Sequence, residues 1–163
     1  MGVNVTISQY RREKLKAMRK YLGNYSEEYE KIWDYAQALL EADRDNIVRI
    51  NVTRNPGDER SRFHRIYICF GACKKESLSS CRKMVGLDGC FSKGPIKFEI
   101  LSVVGRDAND QMYPIAWAVV DVENKDNWSW FLSLLANDLD MRSGYQWVLL
   151  SDQQKVCVIL FHM

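Results

Sequence analysis

Two aspartates stand out by the runs they occupy. Asp88 lies inside Met84–Phe91 (MVGLDGCF) and Asp152 closes residues 146–152 (QWVLLSD), both short and mostly apolar. On pattern alone each could serve a turn or a cap. The alternative is chemistry. Two carboxylates brought together suit a hard divalent cation such as Mg²⁺, which prefers oxygen ligands, and two such ions about 3.5–4 Å apart can clamp the attacking and leaving oxygens of a phosphodiester. A site of that kind normally needs a third carboxylate. Asp107, Asp110, Glu123 and Asp126 fall in turn or cap contexts that already account for them.

Other reactive types are less telling. The five cysteines (Cys69, Cys73, Cys81, Cys90, Cys157) are odd in number and follow no secretion signal, which reads as free thiols in a reducing compartment. Cys69 and Cys73 form one pair of zinc-like spacing, with Cys81, Cys90 and His64 nearby, but no second tight pair follows, which argues against structural zinc. Cys69 and Cys90 lie in strand-like runs where a small buried thiol is ordinary. His64 reads as a strand-surface residue rather than a base. Lys93, in Phe91-Ser92-Lys93-Gly94, could meet a phosphate, although no glycine-rich cradle surrounds it. Residues 1–82 hold 16 Lys/Arg against 11 Asp/Glu, and residues 83–163 hold 7 against 10. The basic excess gathers at Arg11, Arg12, Lys14, Lys16, Arg19 and Lys20. Such a cluster is either a solvated helix face or a track for a phosphate backbone.

The elements that must position these groups follow from periodicity. Residues 8–21 read as a helix with Ser8 as N-cap and Leu15, Met18 and Leu22 on one side. A second helix opens at Tyr25-Ser26, with Tyr29, Ile32, Trp33, Ala36, Leu39 and Leu40 on its apolar face. Ile47–Val52 alternates like a strand, residues 55–61 form a polar loop, Phe63–Phe70 is another strand, and 71–82 a short helix or turn. Then come strands at 84–91, 97–105 and 113–122, the last apolar enough to be central. Asp126 caps a helix carrying Trp128, Phe131, Leu132, Leu135 and Leu139 at helical spacing, Gly144 ends it, and residues 146–152 form a fourth strand. Three strands joined by tight turns make an antiparallel meander. A crossover helix then lets the fourth strand lie parallel to the first, which brings Asp88 and Asp152 onto adjacent strands, where ligand sites of open α/β sheets gather.

The residues themselves carry a resemblance. Cys81-Arg82 with Gly86–Gly94 resembles the first acidic motif of plant-type Mutator-like element (MULE) transposases, and Val104–Val120 followed by Glu123–Phe131 is similar to their core signature. Ser151-Asp152-Gln153-Gln154-Lys155 resembles the second acidic motif, and the helices with Tyr10-Arg11 and Trp33-Asp34-Tyr35 resemble the segment before the core. The resemblance implies an α/β partial RNase H-like fold: a three-stranded antiparallel meander, a crossover helix and a fourth strand parallel to the first, preceded by a mainly helical N-terminal segment. It divides the chain into a lead-in at 1–82, a partial transposase core at 83–155 and an unrelated apolar tail at 156–163.

The same resemblance implies metal-dependent DNA cleavage and strand transfer with a DDE triad. Asp88 would be its first acid and Asp152 its second, both metal ligands for Mg²⁺ or Mn²⁺. Transposon-end DNA would be the partner and the nucleus the location, with Arg11, Arg12, Lys14, Lys16 and Lys93 as weaker candidates for nucleic-acid contact. The third acid of the family, a glutamate downstream of the second aspartate, is absent from 153–163, so the expectation is a transposase fragment truncated by an intron or frame change after Lys155 and without activity. The alternative is a DNA- or protein-binding module of the kind domesticated transposases become. The chain's 163 residues, 47% hydrophobic and 27% charged, exclude disorder and a disulfide scaffold. No apolar run approaches the ~18 residues a membrane span needs, so an intracellular protein is expected.

Overall fold

A computed structural model describes residues 6–22, 25–54, 61–93, 97–141 and 147–151, the side chains of 19, 21–22 and 25–30 excepted. The chain divides into two compact units, residues 1–37 and 38–163. The first holds α1 (Ile7–Leu22) and the larger part of α2 (Tyr25–Ala42). Thr6, not Ser8, caps α1. Its Oγ1 accepts from the Gln9 amide at 3.3 Å while Gln9 Oε1 accepts from the Thr6 amide at 3.0 Å, the reciprocal pairing that a Thr-x-x-Gln start allows. Leu15 and Trp33 are exposed, so the apolar stripes expected on the two helices are only partly covered. No helix among the described residues is long and apolar enough to cross a membrane.

The second unit is organised by one six-stranded mixed sheet. Its strands are β1 (Ile47–Arg54), β2 (Ser61–Cys69), β3 (Met84–Phe91), β4 (Glu99–Arg106), β5 (Met112–Val120) and β6 (Val148–Ser151), in the order β1-β2-β5-β4-β3-β6. β3, β4 and β5 form the expected antiparallel meander, and β6 pairs with β3 in parallel. Asp107 makes the β4–β5 turn by accepting the amides of Asn109 and Gln111, each at 2.9 Å. β5 is central, as its apolar run implies. Two of the six strands come from the 1–82 segment: β2 pairs with β5 and carries β1 at its far edge. Periodicity marks both as strands but does not say which neighbour they choose.

α3 (Gly71–Ser79) packs against β5, and α4 (Lys125–Asp138) supplies the crossover from β5 to β6. Asn124 rather than Asp126 is the N-cap of α4, accepting the Asn127 amide at 2.8 Å; Asp126 sits in the first turn, where the helix dipole favours an acid. α4 lays Trp128, Phe131, Leu132 and Leu135 onto one face of the sheet, where they bury Tyr67, Cys69, Val85, Leu87, Leu101, Val103, Ala116, Ala118 and Val120. At the other end of the unit, buried Asn46 ties the last turn of α2 to α3: its Nδ2 donates to Leu39 O at 2.7 Å and its Oδ1 accepts from the Gly71 amide at 2.9 Å. The approach there is close enough that a Cβ on Gly71 would meet Asp45 atoms at 2.5–2.9 Å.

Candidate functional site

Alternation along β3 decides which side chains can react. Val85, Leu87 and Gly89 face α4, so Asp88 projects from the opposite face, and it is exposed there. Register places Asp88 opposite Ser102, Ser102 opposite Trp117 and Trp117 opposite Ile68, one row across four strands. The Ser102 hydroxyl donates to the Asp88 carbonyl at 3.3 Å, so among the described residues it engages the backbone oxygen and not the carboxylate. Cys90 lies on the same face and is exposed, contrary to the buried thiol its strand-like setting suggests: this face of β3 has no helix over it among the described residues.

Asp152 lies outside the described residues. What is described is its covalent neighbour: Ser151 pairs in parallel with Leu87, the residue before Asp88. In sequence, an aspartate follows each member of this pair, Asp88 after Leu87 and Asp152 after Ser151. Among the described residues no group of three or more His, Cys, Asp or Glu could hold a metal ion. In kind, the exposed Asp88 carboxylate is a hard oxygen donor of the sort Mg²⁺ takes.

The remaining candidates are dispersed. Arg11, Arg12, Lys14 and Lys16 are exposed on α1, with Lys16 Nζ 2.8 Å from Glu13 Oε1. Lys93 is exposed just beyond β3. His64, half-buried in β2, has Nδ1 3.6 Å from Asp121 Oδ2. Cys69 is buried, and desolvation pushes its thiol up to about 11, the behaviour of a packing cysteine rather than a nucleophile. Tyr67 is likewise held neutral by burial, its hydroxyl donating to Asp138 Oδ2 at 2.6 Å. Gly144 and Cys157 lie outside the described residues.

The β5–α4 link holds a feature that composition and spacing did not single out. Buried Asn127 fixes this link: its Nδ2 donates to Asp121 Oδ1 at 2.9 Å and to Val122 O at 2.8 Å, and its Oδ1 accepts from Arg65 Nη1 at 2.9 Å. Arg65 also reaches Asp126 Oδ2 at 2.8 Å and stacks 4.4 Å from the Trp130 ring centroid. On the link so fixed, Glu123 accepts from Trp128 Nε1 at 3.1 Å and lays its carboxyl group against Gly89, the residue after Asp88. The Asp-Gly pair within an apolar strand was the available signal, since glycine inside a strand marks close approach by another group.

Residues 84–158 match the family model of the MULE transposase domain, a span that opens at the first residue of β3 and includes β4, β5, α4 and β6. The meander, crossover and parallel strand thus fall within the matched segment. Over these residues, a little under half of the chain, the protein is similar to a MULE transposase domain, which supports a transposase-related function. Neither the curated proteins nor the solved structures gave a match.

Proposed function

We propose that residues 83–155 form a partial RNase H-like core, derived from a metal-dependent DNA strand-transfer enzyme, in which Asp88 and Asp152 are two of the acids. The observation that supports this reading is the parallel register of β3 and β6, whose last described pair, Leu87 and Ser151, is followed in the sequence by an aspartate on each side. Continuing the register by one residue would set the two carboxylates side by side, as a divalent cation requires. Asp88 and Asp152 would hold Mg²⁺ or Mn²⁺, and the cation when bound would polarise a phosphodiester. The chain's own contribution is to present carboxylates on a sheet face open to a large substrate and to orient them by strand pairing. The DNA substrate and a nuclear location belong to the same proposal.

Residues 153–163 contain no Asp or Glu, so the third acid of the family is not within these 163 residues. A polypeptide of this sequence is expected to bind the cation weakly and not to nick DNA, since sites that act as a unit fail when one member is missing. The test is Mn²⁺ titration followed by paramagnetic broadening of backbone amide signals. Broadening centred on Asp88 and lost in both Asp88→Asn and Asp152→Asn is expected. Broadening that survives either substitution, or metal-dependent nicking by the unaltered polypeptide, overturns this reading.

The exposure of Arg11, Arg12, Lys14 and Lys16 on α1 favours a second reading, a DNA-binding module without catalysis. Its signature is an affinity that falls with salt as counterions are released, with a slope reduced by about 0.9 for each phosphate contact removed. Neutralising Arg11, Arg12 and Lys16 together should then lower both affinity and slope. Binding that ignores salt, or is indifferent to the triple substitution, counts against it.

A further inference from the structure

We propose that Glu123 is a positioning residue for Asp88, acting through Gly89; this rests on reading Asp88 as a functional acid. Residues 88–91 of β3 pair with β4, and Glu123 lies behind them on the α4 side of the sheet. A Cβ built on Gly89 would lie 3.1–3.2 Å from all three atoms of the Glu123 carboxyl group. The carboxyl therefore packs against Gly89 more closely than a side chain there would comfortably allow.

Nothing in this arrangement is loose. Trp128, 1% exposed, donates to Glu123 Oε1 at 3.1 Å, and Asn127 holds the link before Glu123 through Asp121 and Val122 and after it through the Asn124 side chain. Glutamate and glycine are matched: a Cβ at 89 would press the carboxyl back by a few tenths of an ångström, and loss of the carboxyl would remove its packing against the strand on that side. Because alternation sends the Asp88 side chain to the opposite face, Glu123 acts through the backbone and not by contact with that side chain. Its effect is to fix the direction in which Asp88 projects.

The experiment is amide hydrogen exchange by NMR on the full 163-residue chain, with Mn²⁺ broadening as a second readout. In Glu123→Ala, the amides of Gly89, Cys90 and Phe91 are expected to exchange about tenfold faster or more, while those of Ala116–Ala118 and Phe131–Leu135 keep their rates. Glu123→Gln is expected to exchange like the unaltered chain, since the amide keeps the shape and an oxygen for Trp128. Gly89→Ala, which crowds the same carboxyl, should speed exchange at the same amides, by less than Glu123→Ala does. Mn²⁺ affinity at Asp88 should fall roughly tenfold in Glu123→Ala, by less in Gly89→Ala, and hold in Glu123→Gln, the scale typical of groups that orient a ligand. Unchanged exchange at 89–91 in Glu123→Ala, equal acceleration throughout the sheet, or a Glu123→Gln variant that behaves like Glu123→Ala would overturn the proposal. An unaltered chain that shows no Mn²⁺ broadening at Asp88 would instead fail the catalytic reading, and the exchange pattern would still decide whether Glu123 positions the strand.

Discussion

On the α4 side of the sheet, the row Tyr67, Ala118 and Leu101 is sealed from solvent beneath Trp128, Phe131 and Leu135. On the opposite side, the row Ile68, Trp117, Ser102 and Asp88 runs from buried to exposed within four strands, and β6 beside it leaves Val148 and Leu150 51% and 53% exposed. The same strands build both faces, so local propensity is not what separates them. What differs is the partner: α4 covers one side, whereas no described helix covers the β3–β6 end of the other. The covered face holds the fold together. The open face is where the polar and reactive groups Asp88, Ser102 and Cys90 are displayed at little cost, because water already solvates them.

The largest test of this contrast is Trp128→Ala. It empties the centre of the covered face and leaves Glu123 without its indole donor, and a loss of about 3–5 kcal/mol is expected from urea unfolding. A loss below about 1 kcal/mol would mean that α4 is not what secures the sheet.

The contrast sharpens at high pH. Burial raises both Tyr67, from an ordinary 10.0, and Cys69, from 9.0 to about 11, and both lie on the covered face. A group whose folded value is raised contributes stability that is complete below its unfolded value and is lost as pH climbs through the folded one. Stability should therefore hold to about pH 9 and decline above it, each group adding at most about 1.4 kcal/mol per pH unit within its window. Urea midpoints between pH 8 and pH 10.5 measure the decline, and the double variant Tyr67→Phe/Cys69→Ala should flatten it. A wild-type curve that stays level to pH 10.5 would show that these groups are not sealed.

What the sequence made legible tracks this division. Alternation and helical spacing set out β3, β4, β5 and α4 within a few residues, because the covered face imposes a strict apolar pattern on every element that contributes to it. Sheet membership of β1 and β2 was not legible: an amphipathic strand records that one face is buried but not which edge it joins. The sequence pattern puts each helix cap two residues late, since Thr6 and Ser8, or Asn124 and Asp126, are chemically able to do the same thing and only backbone geometry separates them. Asp88 was legible as an acid out of keeping with its run. Glu123 was not, because a glutamate just before a helix has an ordinary explanation in sequence, and its contact with Gly89 exists only once β5, α4 and β3 are assembled. Asp152 can be placed no further than its described neighbour, Ser151.

A smaller effect is expected at the start of α4. Asn124→Ala removes the side chain that accepts the Asn127 amide and should cost about 1 kcal/mol, read from the shift in urea midpoint. If the cost reached that of Trp128→Ala, the cap would be sustaining the Asp121–Asn127 network and hence the seat of Glu123 as well as the helix end.

The smallest effect is expected on the open face, at the residue with the largest proposed functional weight. Asp88 is exposed, its strand is held through Val85 and Leu87 on the other side, and the side-chain hydrogen bond described at this residue, from Ser102, goes to its backbone carbonyl. Asp88→Asn changes neither the volume nor the polarity of the side chain, only its charge. Unfolding free energy should therefore stay within about 0.5 kcal/mol of the unaltered chain, with any shift toward stabilisation, since the proposed neighbour Asp152 would repel it. Chemical denaturation of Asp88→Asn beside Leu150→Ser, a second open-face change expected to be near neutral, measures both. A loss above about 2 kcal/mol in Asp88→Asn would assign the aspartate to the fold, as a group whose charge is satisfied within the native protein, and would remove the separation between a face that holds the structure and a face that is free to do chemistry.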